Sequence, residues 1–151
     1  MSRILPMLAL AAMTLLPATA RAETILGQRI FVEFAFDLST SELAAAERYG
    51  ATYFTKAKAA GRPLTARVAR SDSTILISLE SVAICERAKG CPLLVFRDIT
   101  KKPVLERFAF QNLILDYREK GTFLILRVWN TTTECLVSNV LRAKCKDVSP
   151  K

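Results

Sequence analysis

The sequence predicts an α+β domain: a mostly antiparallel sheet of about six to eight strands, one N-terminal helix packed on it, and two local disulfides. Three observations carry this reading. A single helical pattern, over roughly residues 40–60, is followed only by strand patterns. Short polar or Gly-containing clusters separate those strands, as hairpin connections do. Four cysteines stand in two close pairs, Cys85 with Cys91 and Cys135 with Cys145.

The first residues are set apart from that domain. Residues 1–22 hold Arg3, an apolar run from Ile4 to Leu16 broken at Pro17, and a small-residue site at Ala20-Arg21-Ala22. These are the three parts of a cleaved secretory signal peptide. The run of about 13 apolar residues is shorter than the roughly 20 a membrane-spanning helix needs. The expectation is a signal peptide at 1–22, a single globular domain at 23–151, and a periplasmic or secreted location. No later segment is long and uncharged enough to span a bilayer.

Within the domain, residues 28–36 alternate Ile30, Val32, Phe34 and Phe36 against Phe31, Glu33 and Ala35, a strand pattern. Ser39 followed by Glu42 is a capping-box signature, and Gly61 with Pro63 is a helix stop. Between them Leu43, Ala46, Gly50, Tyr53, Phe54, Ala57 and Ala60 recur at helical spacing. This stripe is rich in small residues, so the helix should lie close on the sheet, nearest at Gly50. Strand patterns follow at 64–70 and 74–84, divided by Ser71-Asp72-Ser73, and again at 92–99 and 104–110, divided by Lys101-Lys102-Pro103. Residues 112–117 and 122–129 flank a hairpin turn at Arg118-Glu119-Lys120-Gly121. Phe123 to Val128 is apolar on both faces apart from Arg127, which predicts a central strand ahead of two short segments around Leu136 and Leu141.

Composition removes most catalytic chemistries. The chain has no histidine, so Ser-His-Asp and Cys-His nucleophilic catalysis, imidazole metal sites and histidine pH switching are excluded. Its five glycines are scattered singly and form no phosphate loop. Asp116 and Glu119 could pair as the carboxylates of a histidine-free hydrolase, but acids beside a hairpin turn are routine. The expectation is a protein that is not an enzyme and uses no cofactor or metal.

The cysteines are better read as staples. A thioredoxin-like centre needs C-x-x-C at a helix N-terminus, and a four-cysteine zinc site needs paired short spacings. Here five and nine residues intervene. Three pairings are possible; in an exported small domain the simplest is local, Cys85 with Cys91 and Cys135 with Cys145. The first would close a hairpin that presents Glu86, Arg87 and Lys89 at its tip, and a rigid loop loses little entropy on binding.

The segment CERAKGCPLLVFRD, from Cys85 to Asp98, followed by GTFLILRVWNTTTEC, resembles small exported alphaproteobacterial proteins with a C-x(4–5)-C loop before a strand. Over Ser81 to Phe110 the chain also resembles the periplasmic inhibitors of vertebrate lysozyme, whose disulfide-closed loop enters the lysozyme cleft. Those loops carry a histidine where this chain has Arg87, Ala88 and Lys89. Lysozyme is itself basic, and a basic chain would be repelled by it.

Charge points to a partner of a different kind. After loss of residues 1–22 the chain has 20 basic and 14 acidic residues, net +6. From Arg48 to Ser71 six cations occur without one acid. The expected function is a non-catalytic exported binding or envelope-accessory protein of the bacterial periplasm, contacting a protein or an anionic envelope component. Lysozyme inhibition through the Cys85–Cys91 loop and histidine-free hydrolysis are the alternatives. The expected contacts are Glu86, Arg87 and Lys89, then Lys56, Lys58 and Arg62. Export makes nucleic acid a poor partner.

Overall fold

The structure, a computed structural model, describes residues 26–71, 74–128, 131–138 and 140–148. The expected signal peptide, Asp72 and Ser73 of the expected turn, and Trp129 lie outside the described residues. In chain order the elements are β1 (Arg29–Phe31), α1 (Thr40–Tyr49), α2 (Ala51–Ala59), β2 (Thr65–Ser71), β3 (Thr74–Glu80), β4 (Cys91–Phe96), β5 (Leu105–Ala109), β6 (Ile114–Arg118), β7 (Gly121–Val128), β8 (Thr131–Leu136) and β9 (Lys144–Val148).

Strong alternation with apolar residues on both faces decides the layering. In β3 and β4, successive residues enter different cores. Leu76, Leu93 and Val95 pack with Leu115, Leu124 and Leu126. Their neighbours Ile77, Leu94 and Phe96 pack with Ala45, Ala46 and Ala57 of the helices. A sheet apolar on both faces must be covered twice. The four-stranded sheet β2-β3-β4-β5 is therefore a middle layer, with the helices on one side and the five-stranded sheet β1-β6-β7-β8-β9 on the other.

The α+β class, the antiparallel pairing and the two disulfides agree with the sequence reading. The single sheet of about six to eight strands under one helix does not hold: the described residues form nine strands in two sheets, with two helices. Short connections let the chain change sheets. Residues 110–113 carry it from β5 to β6, and residues 32–35 carry it from β1 to a bridge between Ala35 and Val68. That crossing cuts the expected strand at 28–36 to three residues and leaves Phe31 and Phe36 exposed. β7 is the middle strand of its sheet, as expected, but is deeply buried only on the Thr122, Leu124 and Leu126 face.

One helix becomes two at Gly50. Its backbone approaches the middle sheet so closely that an added Cβ would stand 2.5 Å from Leu79 Cδ1 and 2.6 Å from Ala46 O. The capping box forms: Ser39 N donates to Glu42 Oε2 at 2.7 Å, and Glu42 N donates to Ser39 Oγ at 3.3 Å. Arg70 of β2 then grips the same carboxylate, donating from Nε at 2.7 Å and from Nη2 at 2.6 Å. This grip turns Glu42 and Ala45 inward and leaves Leu43, expected in the buried stripe, exposed with Ala60. The stop at Gly61 is a Schellman motif, with Gly61 N bonded to Lys58 O and Arg62 N to Ala57 O. A φ of +62° at Gly61 is the left-handed geometry this motif requires.

Both disulfides are local. Cys135 and Cys145 are register partners on neighbouring strands β8 and β9. Cys85 and Cys91 close the connection from β3 to β4. β3 ends at Glu80, short of the expected Ile84, because Ser81 O accepts from the amides of Ile84 and Cys85 and turns the chain.

Two stability predictions follow from this architecture. Replacing Cys135 and Cys145 with serine frees β9, and the loss of a short closed loop costs about 2–3 kcal/mol. Calorimetry should show a melting temperature lower by about 10 °C. The second concerns acid. Arg70 first, then the Ser39 bonds against the cost of burial, lower the Glu42 pKa to about 2. A depressed carboxylate stabilises the fold above its unfolded pKa and loses that contribution as pH falls through the folded value. Glu42→Gln should therefore be less stable than the parent at neutral pH, with the gap closing between about pH 5 and about pH 2 in denaturant titrations.

Candidate functional site

Of the sequence-predicted contacts, Glu86, Arg87 and Lys89 do lie together and exposed at the tip of the stapled loop. Glu86 and Gly90 exchange backbone hydrogen bonds of 2.7 and 2.8 Å, and Lys89 Nζ pairs with Glu86 Oε2 at 2.7 Å. The tip thus neutralises part of its own charge. Gly90 holds the loop base against the end of β5: with φ +86°, its Cβ would stand 2.1 Å from Ala109 O.

The second predicted set is divided. Lys58 and Arg62 line one shallow hollow of about 380 Å³ with Phe54 and Leu64, and Lys56 is not part of it. Two residues apart on a helix, Lys56 and Lys58 point to different sides. The acid-free run also finds acids in space. Arg70 pairs with Glu42 and Asp37, and Arg67 with Glu80, while Arg67 also donates to Phe34 O and Gln111. Asp116 is committed as well, held by Arg29 at 3.1 Å and Arg118 at 2.7 Å, while Glu119 is exposed at the hairpin. Among the described residues no group of three or more Cys, Asp or Glu side chains could hold a metal ion.

A more extended concavity lies elsewhere. A groove of about 810 Å³ runs along β5, between Tyr49 and Tyr53 of the helices and the segment Leu141–Ala143 that joins β8 to β9. The register places Glu106 and Phe108 on the helix side of β5, and Leu105 and Arg107 on the side of the five-stranded sheet. Tyr53 packs edge-on to Phe108, with ring centroids 6.1 Å apart, and its hydroxyl donates to Glu106 Oε1 at 3.0 Å. Burial pushes the Tyr53 phenol up to about 12, helped by Glu106 and, more weakly, by Glu86 of the stapled loop. Because Gly90 sits against Ala109 at the end of β5, the loop stands near one end of the groove.

A second hollow of about 400 Å³ shares Lys102, Val104 and Leu141 with the groove and extends it past Asp98 and Lys101. The acids here are engaged. Asp98 accepts from the Thr100 hydroxyl and amide and pairs with Lys101, and these contacts hold its pKa below the usual carboxylate value. Glu106 is taken by Tyr53. Lys102, Arg107 and Arg142 are exposed and form no salt bridge among the described residues. What the groove offers is an aromatic side, a cationic side and an open strand between them.

Sequence reasoning missed this site. Tyr53 was expected in the helix stripe against the sheet, Lys101-Lys102-Pro103 as a turn, and residues 104–110 as one strand among several. The available signal was Glu106-Arg107, adjacent charges inside a strand, which suit an edge rather than an interior position. No family model, curated protein or solved structure matches the chain.

Glu106→Gln keeps an acceptor for Tyr53 and removes the charge. Ultraviolet titration of the folded protein, with Tyr53→Phe to identify the transition, should show Tyr53 ionisation moving down from about 12 toward the ordinary value. An unchanged Tyr53 transition would mean that Glu106 is not beside Tyr53 in solution.

Proposed function

We propose that this is a non-catalytic, exported binding or envelope-accessory protein of the bacterial periplasm that takes an anionic partner in the groove along β5. The observation that carries the proposal is the grouping of Lys102, Arg107 and Arg142 in this groove, without carboxylate partners among the described residues. The groove's one acid, Glu106, is engaged by Tyr53, and the adjoining hollow adds only Asp98, engaged by Thr100 and Lys101. Aromatic rings opposite such cations supply apolar contact at low entropic cost. The non-catalytic reading rests on the absence of histidine and on those engaged acids. Two disulfides favour an oxidising compartment, and among the described residues no helix is long and apolar enough to cross a membrane.

Lysozyme inhibition is kept as a second reading because the Cys85–Cys91 loop is closed both covalently and by the Glu86–Gly90 bridge. A lysozyme activity assay with the purified protein separates the two.

The probe for the leading reading is poly-glutamate, a flexible anionic polymer. The oxidised protein should bind it, and Lys102→Glu with Arg142→Glu should weaken binding about tenfold, equivalent to ~1.4 kcal/mol. Lys58→Glu with Arg62→Glu, away from the groove, should leave most of the affinity. Binding should also fall with added salt, since exposed charges are screened beyond about 8 Å at physiological ionic strength. Equal losses from both double variants would assign the interaction to net charge and remove the groove from it.

A further inference from the structure

The four-stranded sheet has two edges, and among the described residues only one is occupied. β2 is bridged by Ala35, which exchanges two hydrogen bonds of 2.8 Å with Val68. β5 pairs with β4 and, among the described residues, with nothing on its other side. An edge strand directs alternate backbone N–H and C=O groups outward, where another chain can pair with them. Four of the five residues of β5, Leu105, Glu106, Arg107 and Phe108, line the groove, so an occupant of the groove lies against that edge. At its start the region already takes a backbone donor, since Ala143 N bonds to Val104 O at 2.7 Å before the chain leaves for β9.

Resting on the proposed anion-binding role of this groove, we infer that its occupant is an extended acidic segment of a partner protein, added to the sheet as a strand beside β5. The two sides of the groove set its sequence pattern. Side chains of an added strand alternate between the two faces of the sheet. One row would meet Tyr49, Tyr53 and Phe108 on the helix side, and the other would meet Arg107 and, from the β8–β9 connection, Arg142. The segment that fits therefore alternates apolar and acidic residues. Main-chain hydrogen bonds supply affinity in such an addition and the alternate side chains supply specificity. A second copy of this chain is the less fitting occupant, because two β5 edges would bring the cationic sides of both grooves together.

The test uses the oxidised mature protein and synthetic peptides of about ten residues alternating valine and glutamate, long enough to cover an edge of typical strand length. Backbone N-methylation removes donors without changing charge. Methylation on every second residue can be placed in either of two phases, and only one phase faces β5. The expected result is an affinity loss of about tenfold or more for one phase and little for the other. The alternate β5 amides that face away from β4 should also gain protection from hydrogen exchange on binding the unmethylated peptide. A peptide alternating valine and lysine should bind the parent poorly and gain on the double variant Lys102→Glu with Arg142→Glu.

Equal, salt-sensitive binding of both methylated phases, without new protection in β5, overturns strand addition while leaving the anionic groove standing. Failure of both the peptide and poly-glutamate overturns the two readings together. A dimer whose outward-facing β5 amides are protected before any peptide is added gives the edge to a second copy and also overturns the inference.

Discussion

β3 and β4 cannot be satisfied by one neighbour. Side chains on each alternate between two faces: β4 is apolar on both, and β3 sends Ile75, Ile77 and Leu79 to one and Leu76 to the other. Leaving either row in water would forfeit roughly 1.5–3 kcal/mol for each large side chain exposed. The remaining elements answer this constraint. Helices α1 and α2 cover one face, and their small residues Ala46, Gly50 and Ala57 let the backbone come down onto Ile77 and Leu79. The five-stranded sheet covers the other. Because the middle layer is buried on both faces, the features open to a partner are gathered at its edge and in its loops.

The local elements were largely legible in the sequence. Ser39 with Glu42 marked a helix start, Gly61 with Pro63 marked its stop, and cysteine spacing indicated the two staples. Each of these is a signal contained within a few residues. The division into two sheets was not legible in the same way. Alternation tells which face of a strand is apolar, but it says nothing about which other strand lies beside it, and the crossings at 32–35 and 110–113 are too short to stand out. Leu43 shows a second limit. Helical spacing counted it as core, whereas the pull of Arg70 on Glu42, from 28 residues away, chose a neighbouring side of the helix.

The candidate site was least legible because three distant pieces of chain build it: Tyr49 and Tyr53, the β5 strand, and Leu141–Ala143. No spacing rule links them. Charge reading had the converse difficulty. The run from Arg48 to Ser71 contains no acid, yet Asp37, Glu42 and Glu80 reach Arg67 and Arg70 once the chain folds. Cations that count for binding are those folding leaves unanswered, and Lys102, Arg107 and Arg142 were each embedded in mixed-charge or apolar sequence.

One wall of the groove hangs on a covalent bond. Leu141–Ala143 belongs to the connection between Cys135 and Cys145, and the disulfide holds the two ends of that connection 4.0 Å apart between Cα atoms. With reduced cysteines the wall keeps only the Ala143 N–Val104 O bond and the pairing of β8 with β9 to hold it. Closing the disulfide therefore does more than add stability: it ties one wall of the groove covalently to the end of β8 and the start of β9.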